Sequence, residues 1–201
     1  MAPRAYKLKQ RAESSAATRD RIIDAAAGLY RERSVAGTTI QAVAERADVA
    51  RGTVVNHFGG ADGLLEAVLD RAVEEVDYPT PEQLDGAVDA EDRIRRFVSV
   101  TFRFFDRSTD WWYVFAGDPQ LPAVKARERA YWEVFARFHA AAFGELAGDR
   151  IVGAAVRAFV DYGPLNALRG AGLSLEEASD VVGDALVDIA RQRRQAGEGG
   201  S

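Results

Sequence analysis

Apolar residues return at three- and four-residue steps along almost the whole chain, and nowhere does strict alternation last for the length of a strand. That period leaves helix-on-helix packing as the way to bury them, so the expected fold class is all-α with about nine helices. A first helix is expected near Thr18, a potential N-cap, with Ile22, Ala26 and Leu29 on its inner face. Gly37 interrupts the chain, and Thr38 or Thr39 caps a short second helix ending near Ala47. Asp48-Val49-Ala50 leaves room only for a turn before a third helix from about Arg51 to Phe58, which Gly59-Gly60 ends. A fourth helix over roughly 61–76 stops at Tyr78-Pro79-Thr80-Pro81, and this proline pair with the following DGAVDAED forms the only obvious linker. A fifth helix starts near Glu91, and Gly117-Asp118-Pro119 breaks the pattern. Three further helices occupy about 122–146, 149–170 and 174–195, the middle one kinked by Pro164 near Gly163. The expected division is a flexible basic arm over 1–17, one helical domain over 18–62, a second over 63–195, and a disordered tail over 196–201.

The residue inventory excludes several chemistries. There is no cysteine, and with His57 and His139 as the only histidines a metal site would need carboxylates to complete it. The sequence holds no nucleophile–base pair, no phosphate-cradling glycine loop and no metal-ligand cluster, so neither an enzyme nor a cofactor is expected. No run approaches the roughly 18 apolar residues of a membrane span, and the basic opening lacks the apolar stretch of a secretory signal, which points to a cytoplasmic protein. The net charge of −5 conceals an asymmetry, because residues 1–60 hold 10 Lys/Arg against 6 Asp/Glu while the rest hold 16 against 25. Basic groups gathered at one end suit a polyanionic partner.

Residues 38–58 are the informative piece. Two short helices joined by a three-residue turn make a helix-turn-helix, whose second helix can enter a major groove. Ile40, Val43, Ala44, Val49, Val54 and Phe58 close a small core and leave Arg51, Thr53, Val55, Asn56 and His57 less buried. That surface offers Arg for guanine edges, Asn for adenine edges, and hydroxyl and imidazole donors for phosphates. A generic helical corner would have the same outline, since short helix pairs are common.

The stretch TTIQAVAERADVARGTVVNHFGGADGLLEAVL, following a helix that ends in LYRERSVAGTT, resembles the N-terminal signature of the TetR family of bacterial transcriptional regulators. The likeness covers about residues 18–70 and runs through a Thr-initiated helix, an Ala-rich turn, Gly-Thr, a His-Phe pair and a Leu-Leu helix. It implies a DNA-binding domain over 18–62 and a ligand-binding and dimerisation domain over 63–195. By position, Thr39 and Gln41 open the second helix towards DNA, Thr53 and His57 touch phosphates, and Arg51, Gly52, Val55 and Asn56 face bases. Three positions depart from the family pattern. Val55 stands where tyrosine is usual, Ala50 replaces a serine cap, and Gly60-Ala61 replaces a Ser-Lys pair, losing a phosphate-binding ammonium.

The remaining residues agree with such a sensor domain in length and helical order. Phe97, Phe105, Trp111, Phe115, Trp132, Phe135 and Tyr162, with Asn166, are the candidate ligand wall, and Asp161, Asn166 or His139 could orient a greasy or aromatic molecule. Singly, most of these rings are also ordinary bundle core. Gly153, Val156, Val160, Gly163 and Ala167 fall at steps of 3, 4, 3 and 4, and Leu175, Ala178, Val182, Ala185 and Ile189 repeat those steps. Both stripes can pack within one subunit, but the resemblance implies that they form a homodimer contact. The expected function is a DNA-binding regulator, a repressor released from a palindromic double-stranded operator by a small-molecule effector. The alternative is a helical small-molecule carrier or adaptor without DNA binding.

Overall fold

The computed structural model describes residues 3–117 and 120–198, and among these every regular element is helical. The α-helices are α1 (Pro3–Arg33), α2 (Ile40–Arg46), α3 (Arg51–Phe58), α4 (Ala61–Glu75), α5 (Ala90–Gly117), α6 (Pro122–Phe143), α7 (Arg150–Phe159), α8 (Tyr162–Gly170) and α9 (Leu175–Glu198). Short 3-10 turns occupy Pro81–Leu84 and Gly144–Gly148. No helix among the described residues is long and apolar enough to cross a membrane.

Three boundaries differ from the sequence expectation, each for a local reason. The segment expected as a flexible arm over 1–17 is continuous with α1 from Pro3 onward. Thr18 is not its N-cap, because its hydroxyl donates back to the Ser14 carbonyl at 2.9 Å from inside the helix. Pro3 sits in the first turn, where its missing N–H costs nothing, and the Ala, Lys, Gln, Arg and Glu that follow favour helix without an apolar face. The expected single helix over 149–170 is two helices. Pro164 removes an N–H and crowds the carbonyl four residues back, at Val160, where α7 ends. Asp161 then restarts the chain as N-cap of α8, accepting from the Tyr162 N–H at 2.6 Å. At the other end α9 runs through Glu198, into the segment expected as a tail, whose last three residues lie outside those described.

The chain divides into two compact units, residues 1–75 with 110–128, and residues 76–109 with 129–201. The division expected at 62/63 is therefore displaced, since α4 belongs with the N-terminal helices. In the first unit Ile22, Ile23, Leu29 and Tyr30 of α1 meet Val43 and Ala44 of α2, Val54 of α3, Leu64, Val68 and Leu69 of α4, and Val124 of α6. Arg46 holds α2 to α1 through two 2.8 Å bonds donated to Glu32, and Arg127 donates to Glu66 at 2.9 Å and also to Asp70. These pairs are largely exposed, so they set register more than they stabilise.

In the second unit Ile94, Phe97, Val98, Phe102 and Phe105 of α5 pack with Phe138 of α6, Val152 and Val156 of α7, Leu165 of α8, and Ala178 and Leu186 of α9. The proline-rich stretch expected as a linker is held against this core. Leu84 is buried, the Thr80 N–H donates to Gln83 Oε1 at 2.9 Å, and Arg96 donates to the Asp85 and Gly86 carbonyls at 3.1 Å each.

Candidate functional site

The turn between α2 and α3 is built from short local bonds. Thr39, with extended backbone, accepts from the Ala42 N–H at 3.1 Å and starts α2, whereas Thr38 donates to the Ser34 carbonyl at 2.8 Å. The Ala47 and Val49 N–H groups donate to Val43 and Ala44 at 2.9 and 3.0 Å, and Asp48 turns the chain at φ 52°. Ala50 precedes α3 without a side-chain cap bond, as its methyl group requires. Gly59 ends α3 at φ 76°, a left-handed conformation that glycine adopts without a Cβ clash. A Cβ on Gly63 would lie 2.0 Å from the Phe58 carbonyl oxygen, so no side chain fits at this corner.

Val54 is the one fully buried side chain of α3, Phe58 packs half-buried against the same core, and Arg51, Gly52, Val55 and Asn56 are left exposed. Thr39, Gln41, Arg51, Gly52, Val55 and Asn56 are exposed, and Thr53 and His57 are half-buried. All eight expected DNA-facing residues are thus at the surface of one unit. Arg51 makes no ion pair among the described residues, which leaves its planar fork free for a base edge. The Gln41 amide instead donates to Glu45 at 2.8 Å. A Cβ on Gly52 would meet nothing within 4 Å, so packing inside the protein does not call for glycine there. One further residue has no signal in sequence spacing: the Arg19 guanidinium lies 5.1 Å from the Phe58 ring centre and roots α1 at the end of α3.

The expected ligand residues separate. Phe97, Phe105, Phe135 and Tyr162 are buried in one aromatic core. Phe97 meets Phe135, Phe138 and Phe143 at ring-centre distances of 5.5, 5.1 and 5.4 Å, and Phe105 meets Tyr162 at 4.3 Å. Trp132 stands at the edge of this core, half in solvent and 5.1 Å from Tyr131. Asn166 is exposed. Trp111 is a correction: it belongs to the other unit, packed with the α1–α4 core and donating to Glu75 at 3.2 Å. The Phe115 side chain lies outside the described residues. Tyr78, Phe104 and Ser108 complete the cluster and do not stand out in the sequence. Tyr78 lies 5.4 Å from Phe104, and Ser108 Oγ is 2.5 Å from the Tyr162 hydroxyl. Burial pushes the Tyr162 hydroxyl up to about 12, against the opposing effect of the Ser108 bond.

His139 packs on the Phe143 ring at 4.7 Å, and its Nε2 is buried without a hydrogen-bond partner. Burial, then the charge of Arg157, lowers its pKa below 6.5. The folded state therefore disfavours the proton that the unfolded chain accepts. Stability is expected to be level above pH 6.5 and to fall as pH drops from there through the depressed folded value. His139→Phe should flatten that slope in urea melts on either side of pH 6.5, and an unchanged slope would clear His139 of the effect.

The two small-residue stripes are only partly available. Val156, Val160, Ala178 and Val182 are buried in their own unit, a correction to their expected place in an interface. Gly163 and Ala167 of the first stripe and Ala185 of the second do face solvent, as do Ile151, Ala154, Ala158 and Phe159 on α7 and Val181 on α9.

Residues 22–68 match the profile of the bacterial regulatory proteins of the tetR family. Over 85 residues the chain is 35% identical to the HTH-type transcriptional regulator BetI of Burkholderia thailandensis and 34% identical to that of Burkholderia ambifaria. The aligned stretch is 42% of this chain and 44% of each relative, so the chain spans less than half the length of the curated relatives it matches. Among solved structures, a HlyIIR mutant protein superposes with a TM-score of 0.64 at 16% identity, over 87% of this chain and 99% of that one. The multidrug binding protein EbrR complexed with imidazole gives 0.56 at 22% identity, over 84% and 88%. The TetR family regulator PfmR of Thermus thermophilus gives 0.58 at 20% identity, over 86% and 94%. At these identities the likeness is one of fold.

Proposed function

We propose that the chain, whose residues 22–68 match the tetR-family profile, is a member of that family and a transcriptional repressor that binds a palindromic operator as a homodimer and is released by a small, mostly apolar effector. The observation that carries this reading is the unpaired Arg51 at the start of an α3 that keeps only Val54 fully buried and leaves Val55 and Asn56 exposed. One helix of eight residues reads few bases, so useful affinity needs two copies about 34–36 Å apart on successive major grooves. The aromatic core of the second unit supports an apolar effector, with half-exposed Trp132 as the point of entry. An effector acts only through its preference for the released state, and tens-fold release takes about 2 kcal/mol of preference. A cytoplasmic location, where the operator lies, accompanies this reading.

Selection of bound sequences from a random duplex pool tests it, and an inverted repeat is the expected product. A pool that stays unenriched would favour a helical carrier or adaptor. On the selected site Arg51→Ala is expected to cost roughly 1–3 kcal/mol and much less on random DNA. Equal losses on both would make Arg51 a phosphate contact.

A further inference from the structure

The outward face of α3 sorts by angle. At about 100° per residue, Arg51, Val55, Gly52 and Asn56 follow one another in that order across an arc of about 140°, and all four are exposed. Val54 and Phe58 lie outside the arc and pack into the core, while half-buried Thr53 and His57 occupy the remaining side of the helix. Arg51 and Asn56 stand at the two edges of the arc. Neither side chain makes a hydrogen bond or an ion pair among the described residues, so both keep their bonding groups for a partner.

Between these polar edges the face is apolar. Val55 and Gly52 carry no side-chain hydrogen-bonding atom, so the centre of the arc has nothing to offer a polar base edge. Val55 is 37% exposed despite being apolar. A Cβ on Gly52 would meet nothing within 4 Å, so no part of the protein fills the space that glycine leaves. Positions three apart on a helix are neighbours, which puts this hollow beside the valine methyl groups.

Base edges in a major groove present donors and acceptors, and only thymine adds an apolar group, its 5-methyl. An apolar hollow between two hydrogen-bonding side chains has that methyl as its match. From Arg51 to Asn56 the helix rises about 7.5 Å at 1.5 Å per residue, or about two base-pair steps of 3.4 Å. The edges and the centre of the face therefore address neighbouring base pairs.

We propose that Val55 and Gly52 together form a seat for a thymine 5-methyl group, next to the base pair read by Arg51, and that this seat makes thymine the base required at that step of each half-site. This rests on the DNA-binding reading above and names what the centre of its reading face recognises.

The test is binding of the full chain to its selected duplex with single thymines replaced by deoxyuridine, which removes the 5-methyl group and nothing else. At one position in each half-site the wild type is expected to lose about fourfold in affinity, the worth of one buried methyl-sized group. Val55→Ala should bind the thymine and uracil duplexes alike and keep the helical signal in circular dichroism. Gly52→Ala should raise the thermal midpoint, because alanine favours helix and its Cβ has open space. The same variant should bind the selected duplex several-fold more weakly, with a much smaller loss on random DNA. Affinity falling while stability rises separates a filled seat from a damaged fold. Uracil duplexes bound as tightly as thymine duplexes at every position would overturn the proposal, as would a uracil penalty that persists in Val55→Ala. A Gly52→Ala variant with wild-type affinity for the selected duplex would overturn the shared seat. A wild type that binds no duplex at low salt would instead overturn the DNA-binding reading itself.

Discussion

Phe97→Ala is expected to destabilise the protein by about 3–5 kcal/mol, enough to consume a large part of the stability of an ordinary domain. The ring is fully buried and meets Phe135, Phe138 and Phe143 within 5.5 Å, with the His139 ring at 6.0 Å. These partners come from one helix, α6, so they cannot all shift inward to fill the space a methyl group leaves. Trp132 supplies the contrast. Its ring is larger, but half of it is already in water, and Trp132→Ala should cost far less than burial of a whole indole would suggest. Urea melts of the two variants measure the difference, and similar midpoints would mean that Phe97 does not sit in a close-packed core. The comparison also bears on effector binding. A ring that holds the fold can line a ligand site only if its neighbours part, whereas Trp132 can change partners at little cost.

What is legible in the sequence and what stays hidden follow from the range of the forces involved. The helix-turn-helix is legible nearly residue by residue because its signals are local. Thr39 caps by bonding a neighbour three residues on, Asp48 and Gly59 turn the chain by their own φ, and Val54 and Phe58 pack inward from α3. The N-terminal turns of α1 escape notice because they bury nothing, so apolar periodicity is silent there and only propensity speaks. Trp111 groups with the wrong rings on sequence because aromatic content does not tell which core a helix end joins, and α5 contributes residues to both units. The helix break at Val160 lies three residues before the expected kink at Gly163, since proline acts on the carbonyl four positions before it. Arg19 over Phe58 is a tertiary contact between residues 39 apart in sequence and has no local signature.

For the proposed homodimer, Val181→Glu with Ala185→Glu is expected to yield monomers that keep their fold and lose the palindrome. Val181 is 52% exposed, and Ala185 lies one turn further along the same face of α9. On α7, Ile151, Ala154 and Ala158 follow at steps of 3 and 4 and are exposed too, as is Phe159. Exposed valine, isoleucine and phenylalanine side chains on neighbouring helices of one unit form an apolar surface that a lone subunit has no use for. In a two-fold contact each substituted carboxylate faces the same surface of its mate, already acidic with Glu177, Asp180 and Asp184 nearby in sequence. Repulsion and reduced apolar burial then act together. Dimerisation holds the second recognition helix at an effective concentration near the millimolar range, so its loss should weaken palindrome binding by roughly a hundredfold or more. Single half-sites should be bound as before. The exposed positions make the change nearly neutral for folding, within about 0.5 kcal/mol per site. Val160→Glu and Val182→Glu are the instructive controls, for both side chains are only 6% exposed. They should cost fold and dimer alike and so cannot separate the two. Sedimentation equilibrium at micromolar concentration beside a thermal melt reads both quantities. A double variant that still sediments as a dimer with an unchanged melt would show that the α7–α9 face is not where the subunits meet.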